Sequence, residues 1–468
     1  MYGLSLAKIA KIVKGVPLGG NQSVEPRGAS IDTRKLKQGE LFFALKGEKV
    51  DGHNFLAQAR EQGAAGAVVN YRPRDFNDPE FPLIQVENTV KALQQLAVHV
   101  RKAFDGPVVG VTGSTGKTTT KDMVASVLAQ KGEVLKTAGN YNNELGLPLT
   151  ILSLEPSHWA MVIEMGMRGL GEIDFLCCIS EPTHGIITNI GHTHQELLGT
   201  QEKIAQAKAE LISHIPAQGG MMLNIDDKEI LKPWLTNVRS PLLWYGLDPA
   251  CHIWGDSMEN LGKDGIKFTI HTQEGPGVDV TLPVPGKHNV LNSLAAAGIA
   301  RQLGLSWQEI KEGLENTRLS HMRLEFINIP EKGIQVINDA YNANPSSMAA
   351  ALEVLKSAAG NGRAIAVLGD MYELGDYAEE GHLRVGHRAN ELDVAYLITV
   401  GSLGSMIARG AQEAGMNPDK IKTCQNNAEA LSYLRDILKT GDVVLIKGSR
   451  AVRMEEIVAG ILEGQALQ

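Results

Sequence analysis

Cysteine is scarce: Cys177, Cys178, Cys251 and Cys424 are the only four in 468 residues. Two are adjacent and none stands at metal-ligand spacing, which excludes a disulfide framework and a thiolate metal site and leaves buried free thiols as the expectation. Basic excess is missing too. A formal net charge of -8 with 21% charged residues excludes a nonspecific nucleic-acid binder, which needs a basic face. Long apolar runs are absent. The short ones near the lysine-bearing N-terminus (Ile9, Ala10, Ile12, Val13) are interrupted, so neither a signal region nor membrane insertion is expected, and a cytoplasmic protein follows. There is no internal repeat or low-complexity tract, and no Gly-x-Gly-x-x-Gly opens the last third, which argues against a dinucleotide.

What is present is an α/β chain too long for one core. The first hundred residues read as a small α/β unit, with a strand-like run at Glu40 to Leu45, an alanine-rich helix leading to Ala67-Val68-Val69, and a helix from about Asn88 to Ala103. From Pro107 to about Thr317 short apolar runs (Trp159 to Ile163, Gly185 to Thr188, Gly220 to Leu223) alternate with helical patterns, which predicts a mainly parallel sheet. The polar stretch from Leu242 to Leu282 predicts an antiparallel side sheet at the surface. After Arg318 to Glu325 a second alternation, with strands near Gln335 to Ile337, Ala364 to Leu368, Ala395 to Val400 and Val443 to Ile446, predicts a separate Rossmann-like domain. The expected domains are 1–106, 107–317 and 318–468.

Residues 110 to 118 read Gly-Val-Thr-Gly-Ser-Thr-Gly-Lys-Thr between an apolar run and a helical pattern. Gly110, Thr112, Gly113 and Gly116 shape the loop, and the backbone through Ser114, Thr115 and Thr119 can turn its N–H groups on an anion. Lys117 adds positive charge, and the Thr118 hydroxyl can hold magnesium. Val111 stands where the general Walker pattern has a glycine, so the loop is a variant. An ordinary turn would leave Lys117 and the run of threonines unexplained.

Other candidates sit at strand ends. Glu164 closes the run Trp159 to Ile163 and is either a solvated strand-end acid or a magnesium ligand. His192 and His194, with Glu196, follow the next strand and offer a metal ligand, a base, or only a polar loop. Lys208 falls four residues after Ile204, on the apolar stripe of a helix from about Gln201 to His214. It points inward, so its stem snorkels, a partner neutralises it, or the amine carries a carbamate. Asn289 suits an N-cap, whereas Asn292 one turn on can bond a base edge. The loop from Asp339 to Ser347, with Tyr341, Asn342, Asn344 and Pro345, is expected to follow the first strand of the third domain and precede a serine-capped helix. It is turn chemistry or a nucleotide contact. Arg323 in the hinge and Lys447-Gly448-Ser449-Arg450 late in the chain can reach an anionic ligand or lie on the surface.

Taken together, the loop at 110 to 118, Thr137 to Asn143, Glu164, the histidine loop, Lys208, Asn289 and Asn292, Arg323 and the Asp339 to Pro345 loop resemble the Mur ligase family. The match covers nearly the whole chain. Ser30-Ile31-Asp32-Thr33-Arg34, Lys46-Gly47-Glu48 and Asp51-Gly52-His53 resemble that family's UDP-binding domain, so Ser30, Asp32, Thr33, Arg34, Lys46, Gly47 and His53 are candidate substrate contacts. The Asp-Ala-Tyr-Asn-Ala-Asn-Pro loop is the form of members that add D-alanyl-D-alanine, and no Asp-Asn-Pro-Arg motif of diaminopimelate-selecting members occurs.

The resemblance implies a monomer that uses ATP and Mg2+ to join D-Ala-D-Ala to UDP-MurNAc-tripeptide through an acyl phosphate. Thr118 and Glu164 would hold one magnesium, His194 and a carbamylated Lys208 a second. His194 is preferred to His192 because the family's His-x-Glu-x-x-Gly spacing fits His194, Glu196 and Gly199. Asn289 and Asn292 would face adenine, and Arg323, Asp339 and Tyr341 would reach the nucleotide. Asn140, Asn142, Asn344 and Arg450 would help hold the peptide substrates. Where the family often has glycine before the hinge arginine, this chain has Met322. Contacts from two domains imply closure. The alternatives are a ligase adding a single amino acid, more remotely a folylpolyglutamate synthase, or a nucleotide-dependent binding protein without ligase chemistry.

Overall fold

Three sheets follow one another along the chain. The computed structural model describes residues 1, 3–193, 195–236, 238–273 and 275–463. The first sheet contains β1 (Val16–Leu18), β2 (Ala29–Ser30), β3 (Leu41–Phe43), β4 (Gly66–Val69) and β5 (Leu83–Gln85), in the order β1-β5-β4-β3-β2. Strands β2 to β5 run parallel and β1 pairs antiparallel with β5. Asn88 caps the helix Thr89–Lys102 by accepting from the Lys91 N–H, and Ala92, Leu93, Leu96 and Ala97 on that helix are buried. Its Arg101 donates to the Ser180 and Glu181 carbonyls. A single apolar cluster runs from Leu6, Ile9 and Leu41 through this helix to Met161 and Ile163, so the first two sheets share a core.

The second sheet has nine strands: β6 (Val108–Thr112), β7 (Glu133–Lys136), β8 (His158–Glu164), β9 (His184–Ile187), β10 (Gly220–Asn224), β11 (Leu242–Gly246), β12 (Ile253–Asn260), β13 (Ile266–Thr272) and β14 (Gly275–Leu282). Their order is β14-β13-β12-β11-β10-β9-β6-β8-β7. The antiparallel strands are thus one edge of the central sheet. Antiparallel pairing begins only at β12 with β13, since β11 is parallel to both β10 and β12. Alternate residues Phe268, Ile270, Val280 and Leu282 are buried, which ties this polar ribbon to the core by its inner face. Strand β6 lies between β8 and β9, the point where the strand order reverses. Ligands of open α/β sheets bind there, beyond the carboxyl ends of the strands.

The third sheet, β15 (Glu325–Ile329), β16 (Ile334–Asn338), β17 (Ala364–Gly369), β18 (Tyr396–Val400), β19 (Ile421–Cys424) and β20 (Val443–Lys447), has the order β15-β16-β20-β17-β18-β19. It is parallel except for β15, which forms a hairpin with β16. Separate apolar clusters cover its two faces, the arrangement of a doubly wound domain. The Asp339 loop therefore follows the second strand of this domain, not the first. Its helix Pro345–Ala359 is capped by Asn344, which accepts from the Ser347 N–H, while the Ser347 hydroxyl completes a capping box. Cys177, Cys251 and Cys424 are buried free thiols as expected, but Cys178 is exposed. No helix among the described residues is long and apolar enough to cross a membrane.

Candidate active site

The loop after β6 owes its shape to two glycines. At Gly113, φ is +149° and an added Cβ would stand 1.8 Å from the Thr188 hydroxyl oxygen. At Gly116, φ is +78° and a Cβ would meet Asn292 Oδ1 at 2.7 Å. Neither place admits a side chain. The helix Lys117–Leu128 follows directly, aiming its free N–H groups at the loop. Asn189, after β9, braces the loop: its Oδ1 accepts from the Thr115 N–H at 3.0 Å, and its Nδ2 donates to the Thr115 hydroxyl at 2.8 Å. The Thr112 hydroxyl donates to the Met165 carbonyl, and Ser114 bonds Gly191. Thr112 thus supports the loop from below, and Gly110 lies within β6. Lys117 Nζ donates to the Gly113 carbonyl at 2.7 Å, folding over the loop. Burial pushes its pKa down, Glu164 and Glu373 oppose that shift, and Arg323 adds to it.

Register places the acid beside the loop: Val111 pairs with Glu164 across β6 and β8. Glu164 is only 3% exposed. Its Oε2 accepts from the Thr118 hydroxyl and its Oε1 from Asn142 Nδ2, both at 2.8 Å. A buried carboxylate touching a hydroxyl at a phosphate loop is an oxygen donor set suited to a hard divalent cation, so these residues fit magnesium. Lys208 is 1% exposed. Burial, with the like charge of Lys117, drives its pKa well below the ordinary lysine value, and among the described residues no ion pair offsets it. Snorkelling is therefore ruled out for this lysine. His194 lies outside the described residues. His192 stacks on Tyr377 of the third domain with ring centroids 4.5 Å apart, and its Nδ1 lies 3.1 Å from Gln195 Oε1.

Asn289 is not the N-cap, because the helix Lys287–Gln302 begins two residues earlier with Gly286 as cap. Its Nδ2 donates to the Pro285 carbonyl, and its Oδ1 accepts from Asn292 Nδ2 at 3.1 Å. Both amides are buried in the cleft wall beside Gly116. The opposite wall comes from the hinge and third domain. Arg323 lies 4.2 Å over the Tyr341 ring, between Met322 at φ +58° and Leu324 at φ +47°, and its buried Nε has no hydrogen-bond partner. Asp339 accepts from the Leu324 N–H at 3.2 Å and from Lys447 Nζ at 2.6 Å.

One cleft of about 600 Å³ is lined by residues 114–119, Asn140, Asn142, Glu164, Asn289, Asn292, Arg323, Asp339, Tyr341 and Asn344, whereas Lys208 and His192 lie outside its lining. Other candidates fall elsewhere. Arg450 pairs with Glu455 on the surface, while Lys447 does line the cleft but is buried against Asp339, so its charge is spent within the wall. Ser30 ends β2 and Asp32, Thr33 and Arg34 follow it, Lys46 and Gly47 follow β3, and His53 bonds Asp51 and the Asn70 N–H beyond β4. They gather at the carboxyl edge of the first sheet, outside the cleft lining. Lys35, next to Arg34, lies 5.6 Å over the Tyr141 ring and so links that edge to the Asn140–Asn142 loop. Sequence reasoning missed Asn189 and Glu373, which both line the cleft. Asn189 follows a strand end just before the histidine loop and was legible there, but nothing local marks Glu373.

A phosphate loop on one wall and an arginine, a tyrosine and an acid on the other define the class: a P-loop enzyme with a cleft shared between two domains. Comparison narrows it. The profile described as Mur ligase family, catalytic domain, matches residues 26–101, Mur ligase middle domain matches 111–300, and Mur ligase, glutamate ligase domain, matches 322–450. The chain belongs to the Mur ligase family. It is 37% identical to UDP-N-acetylmuramoyl-tripeptide--D-alanyl-D-alanine ligase of Bacillus subtilis, with 99% of each chain covered. Among solved structures, MurF from Acinetobacter baumannii superposes with a TM-score of 0.84 at 33% identity, covering 98% of each chain. MurF of Thermotoga maritima in complex with ADP gives 0.78 at 28% identity, covering 94% of this chain and 98% of that one.

Proposed function

We propose that this chain is an ATP-dependent ligase joining D-alanyl-D-alanine to the C-terminal carboxylate of UDP-N-acetylmuramoyl-tripeptide, giving the pentapeptide precursor of peptidoglycan. The observation that carries this reading is the single cleft shared by Lys117, Thr118 and Glu164 with Arg323, Asp339 and Tyr341, taken with full-length similarity to a relative named for that reaction. A carboxylate is a poor acyl donor. Its oxygen attacks the γ-phosphorus of ATP and ADP leaves. The dipeptide amine, having lost its proton, then attacks the acyl carbon of the resulting acyl phosphate, and the tetrahedral intermediate expels phosphate. Two anions must meet, so the protein's task is alignment and charge neutralisation. Lys117 and Arg323 supply fixed positive charge from opposite walls.

Thr118 and Glu164 would hold a magnesium ion, which would neutralise phosphate oxygens when bound. Lys208, whose amine is pushed towards the uncharged form by burial and by Lys117, would take up carbon dioxide as a carbamate, and with His194 would form a second metal position. Asn289 and Asn292 face adenine. Asn140 and Asn142 lie between the cleft and the carboxyl edge of the first sheet, so the UDP moiety would lie along Ser30 to Arg34, Lys46, Gly47 and His53, with the peptide running inward past Tyr141. Asn344 and Arg450 would serve the dipeptide from the third domain. We take the functional divisions to be 1–106, 107–317 and 318–468, and the enzyme to act as a cytoplasmic monomer.

Phosphate release from ATP, magnesium and UDP-MurNAc-tripeptide tests the reading. It should require D-Ala-D-Ala; release driven by a single amino acid on the dipeptide precursor would overturn it in favour of a ligase of the other substrate class.

A further inference from the structure

Asp122 is a buried acid that the mechanism does not use. It stands on the phosphate-loop helix one turn beyond Thr118 and is 1% exposed. Its Oδ1 lies 2.7 Å from Lys136 Nζ and 3.4 Å from Lys121 Nζ. Its Oδ2 accepts from both the N–H and the hydroxyl of Ser320, at 2.9 and 2.7 Å. The two lysines suffice to keep a buried carboxylate ionised. They do not explain the bonds to Ser320, which lies 198 positions away in the segment leading to Arg323.

That segment needs outside support. Two bulky residues, Met322 and Leu324, hold left-handed backbone on either side of Arg323, a conformation that persists only where the surroundings enforce it. Behind Arg323, Asp339 of the third domain fixes the Leu324 N–H. In front, Asp122 of the central domain fixes Ser320. On its other side Asp122 adjoins Lys121, whose Nζ donates to the Thr137 carbonyl at 2.8 Å. The Thr137 hydroxyl accepts from the Glu164 N–H at 2.9 Å.

We propose that Asp122 is a positioning residue: it clamps Ser320 to the phosphate-loop helix, so that the approach of the third domain and the placing of Arg323 follow the phosphate site. The kinetic part rests on the ligase reading, and the distance part does not. Contiguity alone is no proof of coupling, so the test combines a distance with a cycle. Spin labels at Q130C and Q412C, in a C178S background, report the distance between central and third domains with ADP bound. Asp122→Asn and Ser320→Ala should each broaden that distance distribution. Each should also lower kcat by about tenfold, with KM for UDP-MurNAc-tripeptide within about twofold, and the double variant should be no worse than Asp122→Asn alone. Folded variants with unchanged distances and kcat, or with additive losses, would overturn the proposal. Should Asp122→Asn fail to fold, Ser320→Ala, which removes only the hydroxyl bond, decides by the same distance and kcat. If the unsubstituted protein shows no dipeptide-dependent phosphate release, the ligase reading fails and the distances still judge the clamp.

Discussion

The two walls of the cleft are built on different principles. On the phosphate wall the principal side chains are already bonded: Lys117 to Gly113, Thr118 and Asn142 to Glu164, Thr115 to Asn189. On the facing wall Arg323 sits between two left-handed residues with its Nε unsatisfied, resting on Tyr341. The first wall is preorganised by one sheet and its switch point. The second draws its form from two domains at once, so it is the wall that domain movement can make or unmake. Preorganised donors act without reorganisation at the moment of reaction, whereas a strained hinge suits a group that must arrive.

Substitutions can break this contrast. Lys117→Ala should have the largest effect, lowering kcat/KM for ATP by about a thousandfold or more, on the order of 4 kcal/mol of transition-state stabilisation, measured by phosphate release. Lys208→Ala should come close behind, because its amine is the only proposed source of the carbamate. Partial recovery on adding short carboxylates with bicarbonate would support that role, and undiminished ligation would remove it. Arg323→Ala should cost about a hundredfold in kcat while leaving ADP affinity, measured by calorimetry, within a few-fold, since adenine is held from the other wall. Equal losses in both would mean that the walls are not separable.

A pH experiment sharpens the phosphate wall. Asp227 accepts from the Ile190 N–H beneath the histidine loop, and burial raises its carboxyl to about 7. The folded state therefore keeps a proton that the unfolded chain releases near pH 4, so this acid costs stability progressively as pH rises from about 4 to about 7, and no more above that. Asp227→Asn, whose amide oxygen can still accept from Ile190, should gain on the unsubstituted protein by up to about 4 kcal/mol between pH 4 and pH 8 in denaturant titrations. The smallest effect concerns the hinge. Met322→Gly relieves a φ of +58° and should raise stability by about 1 kcal/mol or less, the strain relieved being partly offset by glycine's entropy, seen as a small rise in Tm.

The phosphate wall was the more legible in sequence, and the contrast explains why. A glycine loop, a strand-end acid and a lysine on an apolar helix stripe are local patterns, so Lys117, Glu164 and Lys208 stand out from composition and period alone. That Glu164 meets Thr118 depends on β8 lying beside β6, which no local pattern states. The facing wall is written in long-range terms. Strands β15 and β19 are short and edge-placed, and Asp122 reads as an ordinary helix acid until Ser320 is brought to it. Glu373 gains meaning only because its loop reaches Lys117. The caps expected at Asn289 and at a serine fall instead on Gly286 and Asn344, because a cap depends on where the helix begins, a boundary that sequence fixes least well.

The most direct measurement is a crystal structure with a non-hydrolysable ATP analogue and UDP-MurNAc-tripeptide. The account predicts the γ-phosphate at Lys117, with Arg323 within hydrogen-bond distance of the phosphates and Tyr341 or Asp339 against the nucleotide. A closed, fully liganded form in which none of these three touches the nucleotide would contradict it.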